Sequence, residues 1–325
     1  MDVAARTLAL PAPPRRRAAL IRALRWGAPI AYVVALGLHI ALSGLSIARD
    51  EMFFWAALAL LAGSITQPRK FALGIVLEWL PFAAILFAYD LVRGYADNLL
   101  FPARVHLQLR ADELMFGGTA PTVWLQHHLW AGPTHVRWYD YASWGVYMTH
   151  FLGTLVVAAA LWLFAHDRFR RYVAMVAALA VVGFATYVLY PAVPPWMASS
   201  QGHLPPVDRI IGFAWPHVRI FSFDTLFQTG NEYANDVAAV PSLHAAYSLL
   251  VCLYLWGMTR RVWVRALLAA YPVAMAFTLV YTAEHFFADI LIGWLYAIAV
   301  FMAVNEVADM WGARRGAPSP AQPIS

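Results

Sequence analysis

Two histidines and an aspartate stand out because their types and spacing suit the transfer of a chemical group. His244 and His285 each lie at the edge of an apolar run, and Asp289 follows His285 by four residues. Ionisable side chains are costly in an apolar environment and usually have a functional reason to be there. Residues four apart share one face of a helix, so we expect His285 and Asp289 to lie one turn apart.

The chemistry that these three groups could perform is nucleophilic attack on phosphorus. A carboxylate bound to one imidazole nitrogen fixes the tautomer and makes the other nitrogen more nucleophilic, so Asp289 could orient His285. His244 could protonate the leaving oxygen and later take a proton from an acceptor hydroxyl. The competing interpretation is that each polar residue only pairs inside a helix bundle, but a matched set of three favours catalysis.

Composition places these residues in a membrane protein. Hydrophobic residues make up 62% of the 325-residue chain and charged residues only 13%, which would leave a soluble domain coated in apolar side chains. The net charge of +5 comes with arginines in short clusters between apolar runs, so we expect no nucleic-acid partner. The single cysteine, Cys252, excludes an intramolecular disulfide and a cysteine-based metal site.

The apolar runs predict an all-α, polytopic transmembrane bundle of about eight spans. The expected spans are 27–47, 52–67, 72–92, 141–165, 172–190, 240–259, 262–282 and 285–307. Residues 1–25 and 311–325 form the expected tails, and 26–310 form the membrane domain with its catalytic part at 190–295. Most Lys and Arg residues fall on one side, so both termini are expected in the cytoplasm and the histidines on the non-cytoplasmic face of a bacterial plasma membrane.

Two long segments on the histidine side, 93–140 and 191–239, are rich in aromatic residues. That composition suits short interfacial or re-entrant helices at the level of the lipid headgroups. His127, His128 and His135 lie there without carboxylate or cysteine partners at metal-ligand spacing. We therefore expect neither a metal site nor a cofactor. In the membrane part, Glu78 and His150 fall mid-helix, where pairing with each other is the structural alternative to a functional role.

The residues around the histidines resemble the type 2 phosphatidic acid phosphatase superfamily. Its second and third signatures are similar to Pro241-Ser242-Leu243-His244 and to His285, Asp289 and Gly293. Three further features resemble the inositolphosphotransferase branch, which includes the fungal inositolphosphorylceramide synthase. They are Leu243, Pro194-Pro195-Trp196 and the segment 90–93. The resemblance implies a phosphohistidine intermediate at His285, proton transfer by His244 and no required metal.

The chain departs from this family where its phosphatases bind phosphate. Lys70, the only lysine, lies on the wrong side of the membrane, and Leu279 stands where those phosphatases carry an arginine. Substitute cations must come from the outer segments, and Arg93 is the best candidate. The other candidates are Arg104, Arg110, Arg137, Arg209 and Arg219. Asn231 and Asp236 are candidate ligands of a polar headgroup, with turn formation as their alternative role.

Together these features predict an integral membrane phosphotransferase whose partner is a lipid substrate within the bilayer. A phospholipid donor would give a phosphoryl or phospho-alcohol group, phosphoinositol among the candidates, to a lipid or alcohol acceptor. The alternative is a lipid phosphate phosphatase acting on phosphatidate or isoprenyl phosphates. A transporter is the second alternative, but it would show Gly or Pro breaks repeated in two halves, and the sequence has no such duplication.

Overall fold

The fold is helical throughout the part of the chain that the structure describes. The computed structural model describes residues 15–43, 49–65, 73–93, 101–214 and 237–316. Within these ranges there is no strand, and the extended segments form two isolated parallel bridges, Arg104 to Ala192 and Ala192 to Ala238. The predicted all-α class is therefore confirmed for the described residues.

Each of the predicted apolar runs overlaps a helix. These helices are α1 (Arg15–Ser43), α2 (Arg49–Ser64), α3 (Leu80–Arg93), α6 (Trp138–Phe164), α7 (His166–Leu189), α10 (Leu243–Trp256), α11 (Val262–Tyr281) and α12 (Phe287–Gly316). A π-helical turn, Ile75–Trp79, precedes α3. Of the described helices, five are long and apolar enough to cross a membrane, namely α1, α6, α7, α11 and α12. The other three contain shorter apolar stretches, so the count of eight spans stays a prediction.

The first and last described helices extend further than the apolar runs predict. Helix α1 begins at Arg15 and not near residue 27, so part of the expected N-terminal tail is helical. Helix α12 continues to Gly316, past the expected end of the membrane domain at 310. Alanine, leucine and arginine favour helix, so a membrane helix can continue into water beyond its apolar part. Residues 1–14 and 317–325 lie outside the described part.

Short helices fill the described parts of the two long segments, as expected. They are α4 (His106–Met115), α5 (Pro121–Leu129), α8 (Pro195–Ser200) and α9 (Ile210–Ala214). Helix α4 packs against α12, α5 against α11, and α9 against α6. These short helices form a layer over the end of the bundle at which α10 and α12 begin.

The main core lies among α2, α3, α6, α7, α10 and α12. Its fully buried side chains include Leu60, Ala158, Phe169, Tyr172, Met175, Leu179 and Leu250. Glu78 lies beside this core and accepts hydrogen bonds from Trp162 Nε1 at 2.7 Å and Arg170 Nε at 2.8 Å. The alternative in which Glu78 pairs with His150 is therefore wrong. The Glu78 carboxylate is bound instead by Trp162 near the end of α6 and by Arg170 near the start of α7.

Candidate active site

The fold brings His244, His285 and Asp289 together. The ring centroids of the two histidines are 5.6 Å apart, and His285 Nδ1 is 3.6 Å from Asp289 Oδ2. Asp289 is fully buried and His285 exposes only 6% of its surface. A compact group of ionisable residues with so little solvent contact is the arrangement that the sequence predicts for group transfer.

Helix α10 presents His244 at its N-terminal end. Ser242 is the N-cap residue, and its hydroxyl accepts a hydrogen bond from the Ala245 N–H at 3.3 Å. This is the usual role of a serine at a helix start, because it satisfies one of the free N–H groups of the first turn. Pro241 therefore precedes the cap. His244 is the second residue of the helix and lies in its first turn.

Helix α12 begins after His285, not at it. The Phe286 N–H donates to Asp289 Oδ2 at 2.9 Å, so Asp289 caps the helix from its third position. The first helical residue is consequently Phe287, and His285 lies in the turn before it. The expectation that His285 and Asp289 share a helix face is wrong in this detail, although the cap still brings the two side chains close.

A tight turn between α11 and α12 sets the direction of His285. The Glu284 N–H donates to Leu279 O at 3.0 Å and the Ala283 N–H to Val280 O at 3.3 Å, the pair of bonds of a Schellman motif. Ala283 takes φ +62°, a left-handed conformation that glycine usually supplies. A non-glycine residue there costs about 1 kcal/mol, which the surrounding contacts must offset.

Those contacts come from the outer layer. Arg209 binds Glu284 through two hydrogen bonds, of 2.7 and 3.1 Å, and its guanidinium lies 4.9 Å from the Trp196 ring centre. The Gln126 amide donates to Tyr281 O at 2.9 Å, at the end of α11. The turn that carries His285 is thus held by side chains from two long segments of the sequence.

The tautomer of His285 follows from its hydrogen bond to a backbone group. Its Nδ1 lies 3.0 Å from the Ala239 carbonyl oxygen, closer than the 3.6 Å to Asp289. A carbonyl oxygen can only accept, so Nδ1 carries the hydrogen and the lone pair of the neutral ring lies on Nε2. The direct acceptor is therefore Ala239, with the Asp289 carboxylate next to it.

The Ala239 carbonyl is itself fixed by the Pro-rich segment that begins at residue 190. The Ala192 N–H donates to Val237 O at 2.6 Å, and the Ala239 N–H donates to Ala192 O at 3.2 Å. On the other side, the Val193 N–H donates to Arg104 O at 2.9 Å. These bonds tie both long segments to the acceptor of His285, which gives the Pro191 to Trp196 region a positioning role.

Asp112 is a buried residue of the site that sequence reasoning missed. From α4 it accepts the Phe287 and Ala288 N–H groups, both at 2.9 Å, and so caps the first turn of α12. Burial raises the pKa of its carboxyl to about 6, the two N–H donors oppose this rise, and the Asp289 charge adds to it. In the sequence Asp112 resembles any charge on a surface helix, so no signal marks it.

His150 is a second residue whose place the sequence did not indicate. Its ring stacks on that of His244 with centroids 3.8 Å apart and an interplanar angle of 30°. Tyr147, three residues earlier on α6, also stacks on His244 at 4.7 Å and 23°. The mid-helix position of His150 was the available signal, but its partner could not be deduced from it.

The expected substrate-binding residues fall mostly outside the described part of the chain. Asn231, Asp236 and Arg219 lie outside it, and Arg93 is described as the last residue of α3 but without its side chain. Among the other candidate arginines, Arg137 is the N-cap residue of α6 and its backbone N–H donates to Asp140 Oδ2 at 2.6 Å, and Arg209 is bound to Glu284. Arg104 is exposed, and its guanidinium lies 4.9 Å from the Tyr190 ring centre.

Within the described residues there is no group of three or more His, Cys, Asp or Glu side chains that could hold a metal ion. His127 and His128 contact each other instead, and His128 stacks on Trp124. Cys252 is buried and free.

The sequence profile of the PAP2 superfamily matches residues 113–303, which include every helix from α5 to α11 and most of α12. The chain therefore belongs to the PAP2 superfamily, as its histidine motifs predict. It is 26% identical over 283 residues to phosphoinositol dihydroceramide synthase of Bacteroides thetaiotaomicron, covering 80% of this chain and 86% of that protein. No solved structure matches the chain significantly. Family and relative together identify a membrane enzyme that acts on a lipid phosphate.

Proposed function

We propose that this enzyme transfers a phosphoryl or phospho-alcohol group from a phospholipid to a lipid or alcohol acceptor through a covalent intermediate on His285. The observation that carries the proposal is the hydrogen bond from His285 Nδ1 to the Ala239 carbonyl, at 3.0 Å. It leaves Nε2 as the nucleophilic nitrogen. The ring of His244 lies 5.6 Å from that of His285 and would give a proton to the leaving oxygen.

The reaction would proceed in two steps, which form and then resolve the covalent intermediate on His285. First, His285 Nε2 attacks phosphorus, the bond from phosphorus to the leaving alcohol oxygen breaks, and His244 gives that oxygen a proton. Second, the acceptor hydroxyl attacks phosphorus, its proton passes to His244, and the phosphorus–nitrogen bond breaks. Both histidines then return to their starting states.

The donor is best sought among inositol phospholipids. The similar Bacteroides protein is called a phosphoinositol dihydroceramide synthase, and the motifs around Leu243 and Trp196 resemble the inositolphosphotransferase branch. We propose Arg93 as a ligand of the phosphoryl oxygens, and Asn231 and Asp236 as ligands of the headgroup. Arg104 joins them as a candidate cation, because it is paired through Ala192 with the backbone that carries the Ala239 carbonyl.

Burial of the site favours transfer over hydrolysis. His285 exposes 6% of its surface, and the layer formed by α4, α5, α8 and α9 lies over the same end of the bundle. A held acceptor reaches an effective concentration of about 10⁵ M or more. This is far above the concentration of water, so positioning of the acceptor alone can favour transfer. A phosphatase, the second candidate, would need a path for water to the intermediate on His285.

The distribution of basic residues supports an active site on the non-cytoplasmic face of a bacterial plasma membrane, with both termini in the cytoplasm. On this proposal the donor and acceptor headgroups both lie in the outer leaflet.

Product analysis tests the proposal. Purified enzyme in lipid nanodiscs receives phosphatidylinositol with either ceramide or a diacylglycerol whose acyl chains differ from those of the donor, and in parallel phosphatidate alone. We expect the transferred phosphoinositol lipid to exceed free inositol phosphate, measured by mass spectrometry, and no product with His285→Ala. The exposed His135, far along the chain from the site, provides the matched control His135→Ala. Release of phosphate from phosphatidate as the main reaction would replace transfer by phosphatase activity.

A further inference from the structure

His150 makes the closest ring contact with His244 among the described residues. The two centroids are 3.8 Å apart at an interplanar angle of 30°, compared with 4.7 Å for Tyr147 and 5.6 Å for His285. Tyr147 and His150 are three residues apart, so both project from the same face of α6. Two flat rings from one rigid helix therefore contact the imidazole of His244.

The backbone alone does not orient that imidazole. His244 is the second residue of α10, where the helix fixes its Cα but leaves rotation about both side-chain bonds. Proton transfer to or from a reacting oxygen requires a nitrogen within hydrogen-bond reach of it, so a turned ring would lose the reaction. The stacked rings of Tyr147 and His150 lie against the imidazole and so restrict this rotation.

A small cavity makes the restriction by His150 more important. Its volume is about 20 Å³, and its polar lining comes from His150, Thr154 and Tyr247. A cavity of this size holds about one water molecule. His150 forms part of the cavity wall and also contacts the His244 ring, so the fit of the side chain at this position decides whether that ring borders open space.

We propose that His150 is a positioning residue, whose flat ring holds the His244 imidazole in the orientation that exchanges protons with the leaving and acceptor oxygens. This inference rests on the proposed function, because it requires His244 to be the proton-transfer group. Here His150 supplies a surface, and its nitrogens are not needed for the reaction.

Two substitutions separate the flat ring from the volume. His150→Phe keeps a planar ring and removes both nitrogens, whereas His150→Leu fills similar apolar space without a planar face. Thr149→Ala is the matched control, because Thr149 is the neighbouring residue on α6 and bonds Tyr271. Thermal unfolding midpoints establish that all three variants fold.

The readout compares leaving groups. One substrate is phosphatidylinositol, whose alcohol needs a proton to leave, and the other is the 4-nitrophenyl ester of inositol phosphate, whose phenolate does not. The burst of 4-nitrophenol reports the first step alone. We expect His150→Leu to lower kcat with the lipid about 10- to 100-fold at unchanged KM, part of the 10²- to 10⁴-fold that proton transfer contributes. The burst rate should change less than about threefold, and His150→Phe should stay within about threefold of wild type with both substrates.

A double variant completes the test. His150→Leu combined with His244→Ala should be no slower than His244→Ala alone, since the lost interaction is shared. Equal losses with both substrates, additive losses in the double variant, or a Phe variant as impaired as Leu would each overturn the inference. If His244→Ala itself shows no dependence on the leaving group, the proton-transfer role in the proposed function fails instead.

Discussion

The backbone carbonyl oxygen of Ser242 lies against Gly293, so close that a Cβ added to the glycine would sit 2.3 Å from it. The Ser242 N–H also donates to the Asp289 carbonyl at 3.0 Å. These two contacts press the start of α10 onto the first turns of α12. Because His244 follows Ser242 and His285 precedes α12, the separation of the two histidines depends on this close approach.

Gly293→Ala should therefore reduce both stability and activity. The added methyl meets backbone, which cannot turn away as a side chain could, and overpacking of this kind costs about 1 to 3 kcal/mol or more. A displacement of catalytic groups by about 1 Å can cost 10²-fold in rate, so we expect kcat to fall at least 10-fold.

Gly145→Ala provides the control, because a Cβ there meets nothing within 4 Å. In the α6 helix this change should be neutral or raise the unfolding midpoint, since alanine favours helix by about 1 kcal/mol over glycine. Equal midpoints and rates for the Gly293 variant and wild type would show that the contact does not set the site.

Asp289→Asn should slow turnover about 10²-fold and leave KM nearly unchanged. The Ala239 carbonyl still fixes the His285 tautomer in this variant, so the loss should stay below the roughly 10⁴-fold that follows when a histidine takes the wrong tautomer. What the variant loses is the negative charge that stabilises the ring as it becomes positive.

The control is Asp309→Asn, the same change in α12 at an exposed side chain that pairs with Arg171. It should keep wild-type kcat. A loss of 10⁴-fold or more in the Asp289 variant would mean that Asp289, and not Ala239, is the working acceptor of the His285 proton.

Asp112 predicts a pH dependence of stability. Its pKa is about 6 in the folded protein against an ordinary value of 3.8, so the folded state binds more protons between these values. The free energy of unfolding should fall as pH rises from about 4 to 6 and then level off, by about 3 kcal/mol for this group. The measurement is the thermal midpoint at each pH.

Asp112→Asn should remove that dependence and lower the midpoint below about pH 4, whereas above about pH 6 the wild type has lost a comparable free energy and the two midpoints should converge. An amide can accept only one of the two N–H groups of α12, and a buried unsatisfied N–H costs about 1 to 3 kcal/mol. A wild-type slope that persists in the Asn variant would assign it to other groups.

The orientation in the membrane can be tested with single cysteines in a Cys252→Ala background. Ser200→Cys should react with an impermeant thiol reagent in intact cells, whereas Asp167→Cys should react only after permeabilisation. Both positions are exposed. Phe169, two residues from Asp167, would be unsuitable for labelling because its side chain is fully buried. Labelling of Asp167→Cys alone would place the active site on the cytoplasmic side.

Residue types and hydrophobic runs were sufficient to predict the helices and the grouping of His244, His285 and Asp289. They could not predict that α12 starts at Phe287, because Asp289 was interpreted only as a partner of His285. Its carboxylate also accepts the Phe286 N–H, and that cap determines the helix start. The spacing of Asp289 from His285 indicated its place beside the imidazole but not its second role as the cap of α12.

The supporting contacts of the site carry still less signal. The acceptor of the His285 proton is a backbone carbonyl 46 residues away, and every residue has such a group. Burial distinguishes Asp112 from other charges on short helices, and burial depends on the packing of α4 against α12. For His150 the structural alternative was a pair with Glu78, but Arg170 binds that carboxylate.

The covalent intermediate is the most direct test of the proposed mechanism. Enzyme mixed with phosphatidylinositol in the absence of acceptor is quenched in alkali, which preserves phosphohistidine, then digested and analysed by mass spectrometry. We predict inositol phosphate on the peptide containing His285, its loss within one turnover when a lipid alcohol is added, and its absence in His285→Ala. Modification of another residue, or wild-type product formation by His285→Ala, would contradict the account.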